Sequence, residues 1–381
     1  MRLLRALVLP LLCAALVLPC IRAFAAGADS KPSIVGYVFP DGTSLSSCQV
    51  DARALTRINY AFANIRNGAV VLGDPHDAAN LALLTGLRRQ NPALTILLSV
   101  GGWSWSGNFS DAALTRESRQ AFIASALDLI QRYRLDGLDV DWEYPDQSGA
   151  GNVHRREDKQ NFTLLLKALR EQFDAAGKTL HRRLYLTIAA EASDEYLQKT
   201  EMDKVQSYVD AVNLMAYDFY MPGPDHITGN SAPLFTSPAD PKHASADTSI
   251  QAYEKAGVPA AKIVLGVPFY GYAWRDVADV NHGLFQHGKS APDAHLSWDT
   301  IATTMLNHGF TRYWDAASSV PYLYSPEQRV FLSYEDPQSL AAKSQYVLKN
   351  KLAGIMFWHY SSDPSGTLLR AINDNLHSPH Q

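Results

Sequence analysis

Eight short runs rich in β-branched and aromatic residues recur along this chain, and helix-patterned segments separate most of them. The runs are 33–39 (SIVGYVF), 57–65 (RINYAFANI), 94–102 (LTILLSVGG), 135–144 (LDGLDVDWEY), 184–192 (LYLTIAAEA), 209–219 (VDAVNLMAYDF), 262–271 (KIVLGVPFYG) and 352–360 (LAGIMFWHY). Between them, SRQAFIASALDLIQRY repeats apolar residues at Phe122, Ala126, Leu129 and Ile130, and NFTLLLKALREQF has the same period. Such alternation favours parallel strands, because each crossover helix covers one face of the sheet. Eight units predict an α/β fold, a closed (β/α)8 TIM barrel whose functional residues sit at the C-terminal strand ends. A doubly wound open sheet competes, but no GxGxxG turn or phosphate loop supports it.

One connection is far longer than an ordinary loop. Residues 272–333 precede the eighth unit, with LSWDTIATTMLNHGF patterned as helix and PYLYS and RVFLSY as strands. This predicts a small α+β insertion between strands seven and eight, on the catalytic face. The barrel then takes 26–271 and 334–381.

The first 25 residues have the form of a signal peptide. Arg2 and Arg5 precede an apolar stretch broken by Pro10 and Pro19, and Ala23–Phe24–Ala25 has the small-x-small form of a cleavage site. The expected location is extracellular or periplasmic, with no membrane association after cleavage. Cys13 and Cys20 fall in the signal and leave Cys48 alone, so the mature chain is expected to lack an internal disulfide. The formal charge of −4 offers no basic field for nucleic acid. Nothing in the sequence demands a partner subunit, and a monomer is expected.

The fourth run carries four acids in eight residues, DGLDVDWE. Alternate residues of a strand share a face. Asp139, Asp141 and Glu143 therefore form a file pointing into the barrel, while Leu138, Val140 and Trp142 face the helices. Like charges buried together force at least one proton to stay bound, and the file titrates as a group. Glu143, nearest the rim, then suits general acid catalysis. On these residues alone, a divalent-metal site and a buried acid network paired with Arg or Lys remain open. Nothing basic is interleaved in the segment, and the histidines show no HExxH pattern. Other strand ends carry aromatics: Trp103 and Trp105, Tyr217, Tyr270, Tyr272 and Trp274, and Trp358. Rings with polar handles suit the apolar faces and hydroxyls of sugars.

DGLDVDWE resembles the DxxDxDxE signature of family-18 glycoside hydrolases, the chitinase family. SVGG (99–102), MAYD (215–218), GVPFYG (266–271) and GIMFW (354–358) match further motifs of the family in order. The insertion resembles the α+β domain of one chitinase branch. The resemblance implies chitin or chitooligosaccharide as substrate, retention through the substrate's own acetamido group, and no metal or cofactor. It implies catalytic roles for Glu143 (acid/base), Asp141 (acetamido N–H), Asp139 (proton sharing) and Tyr217 (acetamido oxygen). Trp358, Asp218, Met215, Tyr270, Tyr37, Ser99, Trp103, Trp105 and Trp274 complete the implied substrate-binding set, Tyr37 and Ser99 supporting the acids from behind. Asp136 is expected to be structural. Three positions depart from the family pattern. Tyr272 stands where an Arg is usual, with Arg275 as the candidate replacement. The loop after MAYDF lacks a Trp, with Tyr220 as the candidate platform. YED (334–336) replaces YDD. An endo-β-N-acetylglucosaminidase acting on N-glycan cores and a chitin-binding lectin are the alternatives.

Overall fold

Short β-branched runs make strands here because their outward faces are packed under helices and their inward faces fill a barrel. The computed structural model describes residues 31–46 and 50–377, so the signal segment and Cys48 lie outside the described residues. In chain order the strands are β1 (Ser33–Val38), β2 (Arg57–Arg66), β3 (Ala69–Leu72), β4 (Thr95–Gly101), β5 (Gly137–Asp141), β6 (Tyr185–Glu191), β7 (Ala211–Met215) and β8 (Ile263–Pro268). There follow β9 (Tyr270–Arg275), β10 (Lys289–Ser297), β11 (Thr311–Asp315), β12 (Val320–Ser325), β13 (Val330–Ser333) and β14 (Gly354–Trp358).

The parallel strands run β1-β14-β8-β7-β6-β5-β4-β2, and β1 pairs with β2 to close an eight-stranded barrel. Each of the eight runs supplies one barrel strand. The helix Arg116–Arg132 buries Phe122, Ile123, Ala126, Leu129 and Ile130, the stripe its period predicts. Thr115 and Ser118 close its first turn as a capping box. On the outer face of β5, Leu138 and Val140 are buried, and Trp142 just beyond it stacks on Phe109 at 5.2 Å.

Three features differ from the reading of the sequence. β3 is a hairpin partner of β2, turned by Asn67 and Gly68 at φ 52° and 75°. That Asn-Gly pair is a type I′ signal, which the strand–helix pattern masked. The insertion begins at Tyr270 and forms a five-stranded antiparallel sheet, β10-β9-β13-β12-β11, with one short helix, Trp298–Thr304. The connection from β7 is a long irregular loop before the helix Ala246–Lys255, and it overhangs the barrel mouth. Among the described residues, no helix is long and apolar enough to cross a membrane.

A buried ion pair ties these parts together. Lys343, on the helix Pro337–Lys349, is fully buried and bonds Glu335, just after β13, and the carbonyl of Ala232 in the overhanging loop, at 2.6 Å.

Candidate active site

Around β5 the inside of this barrel is polar, beside an apolar cluster that includes Val35, Ala61, Val264 and Met356. Register places Asp139 of β5 beside Ser99 of β4 and Thr187 of β6. Its Oδ2 accepts from Tyr37 Oη at 2.7 Å and Ser99 Oγ at 2.9 Å. Its Oδ1 accepts from Thr187 Oγ1 at 2.5 Å and Asn213 Nδ2 at 3.0 Å. Four donors fill both oxygens. The expectation that Asp139 shares a proton with Asp141 finds no free oxygen here, and a metal ion would have to displace these donors. Ser99 is wholly buried behind Asp139, so its place in the substrate-binding set is corrected to support of that carboxylate. Tyr37 bonds Asp139 and also lines the cleft.

Asp141 and Glu143 are neighbours on the inward file and both line the cleft, and each carboxyl acts on the ionisation of the other. Burial first, then the charge of Glu143, pushes the Asp141 carboxyl well above its usual range. Burial raises Glu143 to about 7. Gly101, at φ 104°, lets the chain turn under Asp141; a Cβ there would meet the Asp141 carbonyl oxygen at 2.2 Å. Ser106 Oγ bonds the amide of Glu143 at 2.9 Å and the carbonyl of Asp141 at 3.0 Å, fixing the end of the acid file.

Across the mouth, Tyr217 meets Tyr270 edge-on at 6.2 Å. Tyr270 Oη donates to Asp218 Oδ1 at 2.6 Å, and burial raises Asp218 to about 6. Trp358 stacks on Phe62 at 5.5 Å and packs against Phe39 and Tyr37. These groups line a cleft of about 790 Å³, together with Met215, Trp103, Trp105, Tyr144 and Glu191. Trp103 is 55% exposed, a ring open to a ligand. The cleft is lined largely by carboxyls and aromatics, and among the described residues neither Lys nor Arg faces it.

Several expectations are corrected. Trp274 is not at the rim: it is fully buried among Phe331, Tyr322 and Tyr324 in the insertion, with Nε1 bonded to the Asp225 carbonyl at 3.1 Å. It follows Tyr272 by two residues on β9, but there Tyr220, Val277 and Leu284 from the flanking loops pack into the same cluster. Tyr220 is buried and bonds Asp240, so it is no platform. Arg275 points away, paired with Asp276 at 3.0 Å. His295 occupies the edge where a cation was sought, its ring 4.5 Å from Tyr270. The irregular register of β10 between Ser290 and His295 sets its position, and no local sequence signal announces that. Glu191 is a second missed residue. It ends β6 on the inward face, where the period of two could have found it. Burial raises its carboxyl too. Asp136, as expected, is structural, paired with Arg88 and Arg182 outside the cleft.

A parallel barrel with buried acids at its rim and an aromatic cleft is an arrangement of the kind sugar-cleaving enzymes use. Residues 33–363 match Glycosyl hydrolases family 18, and the chain belongs to that family. Chitinase A1 of Niallia circulans is 36% identical over 93% of this chain, which spans 60% of that protein's length. The solved family-18 N-acetylglucosaminidase of Paenibacillus barengoltzii is 41% identical, with TM-score 0.83, covering 90% of this chain and 99% of that one. Ostrinia furnacalis Group IV chitinase, solved with allosamidin, is 31% identical with TM-score 0.83, covering 91% and 98%.

Proposed function

We propose that this protein is an exported chitinase that hydrolyses β-1,4-linked N-acetylglucosamine chains with retention, using the substrate's acetamido group as nucleophile. The observation that supports the reading is the pair of buried acids, Asp141 and Glu143, lining the cleft at the end of the inward file. Glu143 gives its proton to the glycosidic oxygen. The acetamido oxygen, held by Tyr217, attacks the anomeric carbon as the leaving sugar departs. Asp141 takes the acetamido N–H as acceptor and stabilises the oxazolinium ion. Water then opens that ion with Glu143 as base, which restores its proton and retains configuration. Trp358 forms the floor under the reacting sugar, and Asp218, Met215 and Tyr270 form the wall of its pocket. Trp103 and Trp105 carry the sugars beyond it. The basic, apolar and AFA segments at the start support export.

A second reading is release of single N-acetylglucosamine units. The likeness to the P. barengoltzii N-acetylglucosaminidase over 99% of its length favours it. Product analysis on chitin oligomers of defined length tests both. Internal cleavage with β-anomer products supports the first reading. Monomer released stepwise from one end supports the second. No cleavage of any oligomer overturns both.

A further inference from the structure

Asp139 has four neutral donors and no cation among its hydrogen-bond partners. The acids' own strand segment contains no base, but β2 brings one in from beneath. Arg57 opens β2 two residues before Asn59, so it shares the inward face of Asn59 and Ala61. In register Asn59 pairs with Tyr37, within the belt that holds Asp139, and Arg57 pairs with Val35 one layer below. The guanidinium carbon lies 5.6 Å from the centre of the Tyr185 ring. Its Nε and Nη1 are sealed from solvent and have no protein partner.

The charged and titratable groups facing Arg57 are Asp139 of β5, Asp210 just before β7, Tyr185 of β6 and Tyr37 of β1. Asp210 is already paired with Arg170 and Arg183. Asp139 bonds only hydroxyls and an amide. Above it, Asn59 and Asn213 also keep buried polar atoms without protein partners. Mixed donors and acceptors of this kind suit ordered water between the guanidinium and the belt.

We propose that Arg57 is a positioning residue for the reaction: its charge at the barrel floor balances Asp139, so the acid file holds one exchangeable proton between Asp141 and Glu143. Arg57 touches no substrate. Its effect is electrostatic, carried through the barrel interior where screening is weak. The proposal rests on the reading of Glu143 as the acid.

The test compares the full chain with Arg57→Lys and Arg57→Met. The pH profile of kcat/KM is measured on a fluorogenic chitobioside, and the Asp and Glu carboxyl carbons are titrated by ¹³C NMR. Losing the positive charge makes each remaining acid harder to ionise. Arg57→Met is therefore expected to move both limbs of the profile, and the titration of the Asp141–Glu143 pair, upward by about half to one pH unit. Arg57→Lys is expected to restore most of that shift. A uniform loss of rate with limbs and titration unmoved overturns the proposal, because a merely structural Arg57 changes rate alone. The NMR titration needs no turnover. An inactive wild type whose pair still shifts in Arg57→Met would sink the functional reading and leave this inference standing. Should Arg57→Met fail to fold, Arg57→Gln carries the same comparison.

Discussion

At the scale of residues, Glu143 decides most. It lies 8% exposed at the end of a file of acids, where burial raises it to about 7 against an ordinary value of 4.5. Two consequences follow, and they separate chemistry from stability. Glu143→Gln keeps the shape and removes the transferable proton. Turnover is expected to fall by about 10²–10⁴-fold, with oligosaccharide binding by calorimetry nearly unchanged; retained turnover would remove Glu143 from the mechanism. The stability effect has a definite sign. A carboxyl raised in the folded state holds its proton more tightly there than in the unfolded chain. Stability is then lost as pH rises from 4.5 and the loss saturates above about 7. Glu143→Gln is expected to recover up to about 3 kcal/mol at pH 8 and almost nothing at pH 4. Melting temperatures at those two values check it, and equal shifts at both would contradict the assigned burial.

At the scale of elements, the two tryptophans read alike in the sequence part company. Trp103 lies two residues past the end of β4 and lines the cleft with its ring exposed, while Trp274 sits inside the insertion on β9. Trp274→Ala is expected to cost about 3–5 kcal/mol of stability. Trp103→Ala should leave the melting temperature near that of the wild type and raise KM for long oligomers more than for short ones. The reverse pattern would mean that the aromatic faces have been assigned wrongly. The Lys343–Glu335 pair gives a similar contrast. Lys343→Met strands a buried carboxylate and is expected to cost about 3–5 kcal/mol, whereas pairing it with Glu335→Leu should recover most of the loss. Urea unfolding of the two variants distinguishes a true pair from two independent contacts. What was legible follows from period. All eight barrel strands came from runs of β-branched and aromatic residues, and the outward face of β5 and the inward acid file from alternation; both signals are local. Arg57 obeys the same alternation, yet its meaning depends on β2 closing against β1 and standing beneath an acid from β5, and only closure of the barrel brings them together. His295 depends on an irregular register in β10, which no periodic rule reaches. Trp274 failed for a related reason: its strand end is a rim in the barrel but an interior strand in the second sheet.

At the scale of the molecule, the cleft combines acids and aromatics, and among the described residues no Lys or Arg faces it. The proposed substrate, an N-acetylglucosamine chain, is neutral, so no long-range attraction would steer it in. Binding then rests on ring faces and hydrogen bonds, which salt screens little. KM for chitin oligomers is therefore expected to change by less than about twofold between 0.05 and 0.5 M salt. The pH profile should instead follow the protein's own protons. In the proposed mechanism Glu143 must be protonated to serve as acid, and its value of about 7 is expected to place the descending limb near neutrality. Asp218, raised to about 6 by burial, accepts the hydroxyl of Tyr270 best when ionised, so the pocket wall tightens as pH rises through that value. The two requirements overlap in a narrow band, and kcat/KM is expected to peak between them. The limbs can be told apart. Tyr270→Phe removes the hydroxyl that stabilises ionised Asp218 and should move the acidic limb upward while leaving the basic limb in place. Movement of the basic limb alone would mean that Tyr270 acts on Glu143, and that the wall and the acid are one titrating unit.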